Sequence, residues 1–595
     1  MCIIANYLVN EEGAKEAYRV SQGLGRVLRQ LRRQHSMTQT ELGGERFSKS
    51  YVSAVEKGKI MPSHEALRHF SSQLGQTVDY FEQFLQQPEP PIFPLSLIPP
   101  TPSSNDDYEM QVKALTLLDV LVEDGAFSSL QLVQQLPLLS PHALATLPLE
   151  TQAPYSFWLG CRARQEGNIA EALHSFEYAL GIASLKYRAV ILDEIGTCHT
   201  LSHAHHSALN AHYRALRLLQ EETMNTASTS MRLHIELHCA QDYHALGVHQ
   251  TAIVHYEHAK ELLDVHQNLK TAAQIYYGLG YCTYASLFQA SLFQKEQRMA
   301  PPSPIPDAEE EKVFQQAINF LTQSSTLYHV GSEHGQESRT RLTQVMILLD
   351  CCIRHRRVAE QQPTGVDVAV AARCTTLLEA AEEQCRQILT LEQNERATTA
   401  SLSDDEAQAR LLLLLAYLLS VFVQRAILAH YSEEIGAAKQ ERAVWFCYKT
   451  LTALADSTLT WALLQELMNA PLDAWKQAKA SLPPLPALSS SSLRESHAEL
   501  SLTVGMLAEQ LGKTATLSAS RDEYYRQADD LFQNALSLWQ AARQGQQNDP
   551  TLLKRGYQHV ISTLEERIVA QTSQGERHVQ TLLKLLFASF ERASL

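Results

Sequence analysis

One frame of small residues recurs along this chain and limits its fold more than any other feature. Leu159-Gly160, Gly167, Ala172, Phe176 and Ala179 set the frame; Ile195-Gly196, Ala208 and Ala215 repeat it, and so do Ala240, Gly247, Ala252, Tyr256 and Ala259. A fourth copy begins at Leu279-Gly280, with its second helix expected around Ala317, after a loop containing Pro301-Pro302-Ser303-Pro304-Ile305-Pro306. Small residues at this spacing let two helices approach closely, and the aromatic fills the gap they leave. At 595 residues the chain is too long for one core, so two or more domains or an elongated array are expected.

The frame resembles the tetratricopeptide repeat. From about 336 to 595 the pattern stays helical but degenerates: Ala528, Phe532 and Ala535 recover the second-helix spacing, and 336–357, 365–391, 406–431 and 576–593 read as long helices. Residues 483–492 read as a loop that interrupts the solenoid, and 395–405 as a place where it can break. The expected fold is therefore all-α, with helix pairs wound into one right-handed superhelix and capped at the C-terminus. Such a superhelix has a concave groove lined by the first helix of each pair. In that register Arg164, Gln165, Asp193, Thr197, Thr200, His234, Gln241, His244, Gln274, Tyr277, Tyr281 and Tyr284 fall on or near the groove. Amide and hydroxyl groups there suit the backbone of an extended peptide, and tyrosines suit its side chains.

A different pattern precedes the repeats. Leu24, Val27, Leu28 and Leu31 have helical spacing, with Arg26, Arg29, Arg32 and Arg33 on the other faces, so a helix with a cationic outer side is expected. Thr38 followed by Glu41 is a capping box and starts a short second helix at Gln39. Ser48 caps a third, in which Val52 and Val55 face inward while Lys49, Ser50, Tyr51 and Ser53 face out. Gly58 ends that helix, and Ser63 caps a fourth carrying Leu67, Phe70 and Leu74. The third helix presents small polar groups, one lysine and one tyrosine, which suits close approach to base edges in a major groove.

Gln39, the run from Ser48 to Gly58 and Pro62-Ser63 together resemble the Cro/CI-type (XRE) helix-turn-helix. The spacing from Leu42 to Ser48 is similar to that of peptide-sensing bacterial regulators of the Rgg, PlcR and NprR kind, in which a DNA-binding domain likewise precedes helical repeats. The resemblance covers about one tenth of the chain. It implies a DNA-binding surface of Thr38, Gln39, Ser48, Lys49, Ser50, Tyr51, Ser53 and Lys57. Gln39 would meet a phosphate or base, Lys49, Ser50 and Ser53 would face bases, and Tyr51 and Lys57 would hold the backbone. Two departures stand out. Ala54 occupies a position where relatives carry Arg or Lys, and Gly43-Gly44 replaces better helix formers at roughly 1 kcal/mol per glycine. This chain also shows no asparagine ladder of the kind that contacts peptide backbone in those regulators, and its helical region is longer than theirs.

Charge divides the chain in the same way. Residues 20–75 carry nine basic and four acidic side chains, a net of +5, whereas the whole chain is −15, leaving −20 elsewhere. Nucleic-acid binding is therefore expected in that one segment. Proline crowds 88–102, from Pro88-Glu89-Pro90-Pro91 to Pro99-Pro100-Thr101-Pro102, and favours an extended spacer. The organisation read from the sequence is an extension over 1–19, a helix-turn-helix domain over 20–87, a Pro-rich linker over 88–104, repeats over 105–395, and degenerate repeats with a cap over 396–595.

Other chemistries find little support. The ten cysteines include no C-x-x-C pair and read as small buried thiols of a reducing cytosol. Among 24 histidines, His203, His205 and His206 cluster, but no spacing resembles a structural zinc site, so these are read as surface polar groups and no metal is expected. The segment from Gly505 to Thr514 ends in Gly-Lys-Thr, but its glycines stand too far apart for a phosphate loop, and no hydrolase or dinucleotide fingerprint appears. The start of the chain lacks a secretory signal, and the apolar run 411–423 is shorter than a bilayer span, so it reads as a buried helix. These readings lead to a cytoplasmic, non-enzymatic transcriptional regulator without cofactor. Its expected partners are double-stranded DNA, a second copy as homodimer, and a short peptide in the groove, with no membrane. The alternative is a scaffold tethered to DNA that recruits another protein without any small ligand.

Overall fold

The computed structural model describes residues 28, 29, 32, 37–74 (45, 58 and 61 apart), 149–221, 226–263, 268–297, 308–360, 368–398, 404–429, 436–471, 493–543 and 550–570, with isolated positions at 474, 482, 484 and 485. They contain nineteen helices and no strand. The described residues up to Ile191 form one compact unit, and those from Leu192 onward form a second. Segments 1–19, 88–104, 301–306 and 576–593 lie outside the described residues, as do most of the predicted helix around Leu24–Leu31, Gly58, and most of the predicted loop 483–492.

In the first unit, α1 (Gln39–Gly43), α2 (Lys49–Glu56) and α3 (His64–Gln73) follow their caps. Thr38 Oγ1 accepts from Glu41 N at 3.2 Å while Glu41 accepts from Thr38 N at 2.6 Å, which completes the capping box. Ser48 and Ser63 accept from the backbone N–H of Tyr51 and Ala66, each at 3.2 Å. Leu28, Leu42, Val52, Val55, Leu67, Phe70 and Leu74 close a small core between these helices. The penalty expected for two glycines within a helix does not arise. α1 ends at Gly43, and Gly44 follows at φ +55°, a conformation that glycine adopts without steric cost.

The repeat begins with α4 (Leu149–Gln165) and α5 (Ile169–Ile182), continues through α6 (Leu185–Leu201), and runs on in the second unit. A Cβ on Gly160 would stand 2.6 Å from the ring of Phe176, so α4 and α5 approach closely only because that side chain is missing. The second unit pairs α7 (His205–Glu221) with α8 (Thr226–Ala245), α8 with α9 (His249–Glu261), α10 (Leu269–Gln297) with α11 (Ala308–Val330), and α12 (His334–Glu360) with α13 (Val368–Thr398). It continues with α14 (Asp404–Ala429), α15 (Gly436–Ala455), α16 (Trp461–Met468), α17 (Arg494–Thr514), α18 (Ser518–Arg543) and α19 (Thr551–Ala570). Phe532 of α18 meets Gly505 of α17 as Phe176 meets Gly160. The helix expected around Ala317 is α11, and the helices expected over 336–357, 365–391 and 406–431 are α12, α13 and α14 with ends shifted by a few residues.

One apolar cluster runs from Tyr281 to Leu564, continuously across the sequence position at which a break was allowed. α14 lies inside it, packed on α12, α13, α15 and α17. Its window is long and apolar enough to cross a membrane, but 83% of that window is buried in the protein, as expected of a core helix. Cys161, Cys198, Cys239, Cys282, Cys351, Cys352, Cys374, Cys385 and Cys447 are all buried and free, in keeping with the thiol reading.

Candidate DNA interface and repeat groove

The outward side of α2 is set by its inward side. Val52 and Val55 are buried at the helical spacing that leaves Lys49 and Ser50 exposed and Ser53 half-buried. Lys57 and Lys59 continue the exposed cationic edge beyond the helix. Tyr51 is half-buried: its ring stacks on Phe47 with centroids 5.2 Å apart, and its hydroxyl accepts from Ser63 N at 3.5 Å. It therefore fixes the link between α2 and α3. Thr38 and Ser48 are exposed, and each spends its hydroxyl acceptor on a helix cap.

Glu56 was not singled out in the sequence, yet it organises this domain. It is 5% exposed at the end of α2 and accepts from Arg32 Nε at 2.5 Å, Arg32 Nη2 at 3.1 Å and Gln39 Nε2 at 2.8 Å. Arg32 Nη1 also donates to Met37 O at 2.7 Å. Two expectations change in consequence. Arg32 is not part of a free cationic face; it is an internal tie to Glu56 of α2 and to Met37 O. Gln39 has one amide hydrogen committed to Glu56, so its side chain is held against the domain. A carboxylate that ends an apolar helix face was the available signal, because such a group is buried only when paired. Exposed Arg46 and Arg68 line an open cleft beside α3 with Glu65, His69, Ser72 and Gln73, so its two guanidinium charges are partly offset by one carboxylate.

The twelve groove residues divide by burial. Gln165 is exposed and Arg164 half-buried, both in the first unit. In the second, His234, Gln241, Gln274 and Tyr277 are half-buried. His244 stacks on Tyr281 at 4.7 Å between centroids, and Tyr277 stacks on Tyr281 at 6.4 Å, so these three form one aromatic row. Thr197 turns its hydroxyl to Asp193 O at 3.1 Å, and Thr200 gives its hydroxyl to Gly196 O and to Asp242 Oδ1, at 3.2 and 2.8 Å. Asp193, Tyr281 and Tyr284 depart from expectation: Asp193 and Tyr284 are fully buried and cannot reach a groove ligand, and Tyr281 is a core residue at 9% exposure. Asp193 sits beside His212 and His238, and Tyr284 donates to Asp350.

The partner of Asp350 explains why Tyr284 is covered. Arg555 of α19 donates from Nε and Nη2 to Asp350 of α12 at 2.7 and 2.8 Å, and from Nη1 to Glu499 of α17 at 2.7 and 2.9 Å. His559 Nε2 lies 3.0 Å from the same Asp350, and Thr551 bonds His249 at 2.8 Å. α19 thus packs across the first helices α10, α12 and α17 and fills the inner face at Tyr284 with its own side chains. Burial raises the Asp350 carboxyl, but Arg555 and His559 outweigh this and hold it well below the usual range. Of the clustered histidines expected at the surface, His203 and His206 are exposed, but His205 is buried against Asp242 at 2.9 Å.

No protein-family model and no curated protein matches this chain. Among solved structures, the crystal structure of Bacillus thuringiensis PlcR in complex with the peptide PapR7 and DNA aligns with 54% of this chain and 99% of that one, at 13% identity and a TM-score of 0.27. A likeness that slight carries neither fold nor function from one to the other.

Proposed function

We propose that this chain is a sequence-specific DNA-binding transcriptional regulator, with α2 as the recognition helix and the repeats as a ligand-sensing domain. The observation that carries the reading is α2 itself: a capped two-turn helix, anchored by Val52, Val55 and Glu56, that leaves Lys49 and Ser50 exposed on an otherwise compact domain. Lys49, Ser50 and Ser53 face base edges; Lys57 and Lys59, with Arg46 and Arg68, hold phosphates. Thr38, Gln39, Ser48 and Tyr51 serve mainly to set the pose of α2.

Half-buried His244 and Tyr277, backed by the buried ring of Tyr281 and with Gln241 and Gln274 near them in register, are the part of the proposed groove that remains for a short peptide. A homodimer would present two recognition helices to successive major grooves about 34 Å apart, so a ligand that changes dimer geometry would change DNA affinity. The second reading, a DNA-tethered scaffold with no small ligand, is favoured by α19, which already occupies the inner face at Tyr284.

Selection of genomic fragments by the full chain at controlled salt tests the first part, since phosphate contacts make affinity salt-dependent. The expected result is enrichment of an inverted repeat, lost in the double variant Lys49→Ala/Ser50→Ala while its helical content is unchanged. Equal operator affinity in that variant would remove α2 from the recognition role. A change in operator affinity when peptide is added separates the sensor from the scaffold.

A further inference from the structure

His212 occupies a position of the repeat that elsewhere holds an aromatic ring. It stands four residues after Ala208, as Phe176 does after Ala172 and Tyr256 after Ala252, and its ring packs against Gly196 where Phe176 packs against Gly160. An apolar ring would fill this gap. Here an imidazole fills it, fully buried, with carboxylates on both sides. Asp193 Oδ1 lies 2.9 Å from His212 Nδ1, and Asp242 Oδ2 lies 3.4 Å from His212 Nε2. His238 Nδ1 approaches the same Asp193 Oδ1 at 2.9 Å. Asp193, His212 and Asp242 are all 0% exposed in their side chains, whereas His238 is 26% exposed and opens the cluster to one side.

We propose that Asp193, His212 and His238 form a binding site for a divalent transition-metal ion of the zinc class. The three donor atoms, Asp193 Oδ1, His212 Nδ1 and His238 Nδ1, lie within 4.8 Å of one another, one each from α6, α7 and α8. Asp193 Oδ1 stands 2.9 Å from each imidazole donor, and both separations need open only to ~3.4 Å to surround an ion with bonds of about 2.0–2.1 Å in tetrahedral geometry. Two imidazoles and one carboxylate are a borderline donor set, which suits zinc and not calcium or magnesium.

A second observation points the same way. His212 Nδ1 faces Asp193 Oδ1 at 2.9 Å without an aligned hydrogen bond, as two lone pairs directed at a shared ion would. Asp242 then has the role of an outer carboxylate. It is anchored by Thr200 at 2.8 Å and His205 at 2.9 Å, and it faces the far nitrogen of His212, the arrangement that orients a metal-bound imidazole and raises its basicity. Without an ion, a proton on His212, which burial opposes but Asp193 and Asp242 hold up at about 9, offsets part of the buried charge; a divalent cation would displace that proton and offset both carboxylates. The exposed edge at His238 gives the ion a way in and leaves a fourth position for water.

The full chain, purified without a metal-affinity tag and stripped with chelator, tests this by titration with Zn2+ and by metal analysis. One ion per chain is expected, with a rise in the thermal midpoint on binding. His238→Gln, at the least buried ligand, should weaken Zn2+ at least 10-fold, and Asp193→Asn should do the same. His258→Gln alters the separate cluster of Glu236, His255 and His258 and should leave the affinity unchanged. Titration with Co2+ reports ligand geometry by its visible spectrum even if one variant folds poorly. Absence of Zn2+ binding by the native chain would overturn the proposal, and so would equal affinity in His238→Gln and Asp193→Asn or a loss confined to His258→Gln.

Discussion

Glu56 shows how one side chain can decide whether a surface is usable. Its carboxylate holds Arg32 and Gln39 and so fixes the angle at which α2 leaves the core. Glu56→Ala would leave the part-buried Arg32 guanidinium with its bond to Met37 O alone, a change that costs about 1–3 kcal/mol. The expected outcome is a lower unfolding midpoint for the proposed DNA-binding domain, followed by circular dichroism, together with weaker binding to any operator it selects; an unchanged midpoint would mean that water replaces the carboxylate. His203 makes a different point. Gly167 and Gly247 turn their helix pairs at φ +80° and +73°, and His203, at the equivalent place in the second pair, does so at +57°. A residue with a Cβ is strained there by about 1–2 kcal/mol. His203→Gly should therefore stabilise the protein by about 1 kcal/mol, after the entropy that glycine adds to the unfolded chain. A lower denaturation midpoint in that variant would show that the His203 ring contributes more than the strain removes.

Helix ends were the best determined part of the sequence, because caps are local chemistry. Thr38, Ser48 and Ser63 each bond a backbone N–H three residues on, within reach of any reader of the linear chain. The pairing of α4 with α5 was equally legible through Gly160 and Phe176, since close approach needs a missing side chain on one helix and a large ring on the other. What the sequence hid were partners far apart in the chain. Arg555 meets Asp350 across 205 residues, and His249 meets Thr551 across 302. No periodicity encodes such pairs, so Tyr284 was assigned to an open groove that α19 covers. The burial of Asp193 was hidden for a related reason: a carboxylate on a first helix looks like a groove ligand until His212 is seen in place of the usual ring. The cap on α2 gives a check at this level. Ser48→Ala should cost about 1 kcal/mol of stability in the proposed DNA-binding domain and weaken the proposed operator binding only to that extent. A far larger loss of binding at unchanged stability would assign the Ser48 hydroxyl to the DNA.

The second unit is held in its inner part by charge as well as by apolar packing. Glu566 of α19 accepts from Arg357 of α12 at 2.8 Å and from Lys513 of α17 at 3.0 Å, while Arg567 pairs with Glu509 of α17 and Asp529 of α18. α19 thus ties α12 and α17 together through contacts that span 53 to 209 residues of the chain. Burial on its own would raise the Glu566 carboxyl, but Arg357, Arg356 and Lys513 lower it to about 2 from the usual 4.5. The folded form therefore binds the proton less well than the unfolded form does. Its stabilisation is complete above pH 4.5 and is lost as the pH falls towards 2. That difference corresponds to roughly 3 kcal/mol for a side chain 22% exposed, with solvent screening reducing it somewhat. Glu566→Gln removes the titrating group and leaves the helix sequence otherwise intact. The native chain should lose about 1–2 kcal/mol more stability than Glu566→Gln between pH 6 and pH 3, read from denaturant midpoints of the two proteins side by side. Parallel pH profiles would show that the cations around Glu566 stabilise α19 no better than a neutral amide does, and would leave Arg555 with its two carboxylates as the group that keeps the helix in place.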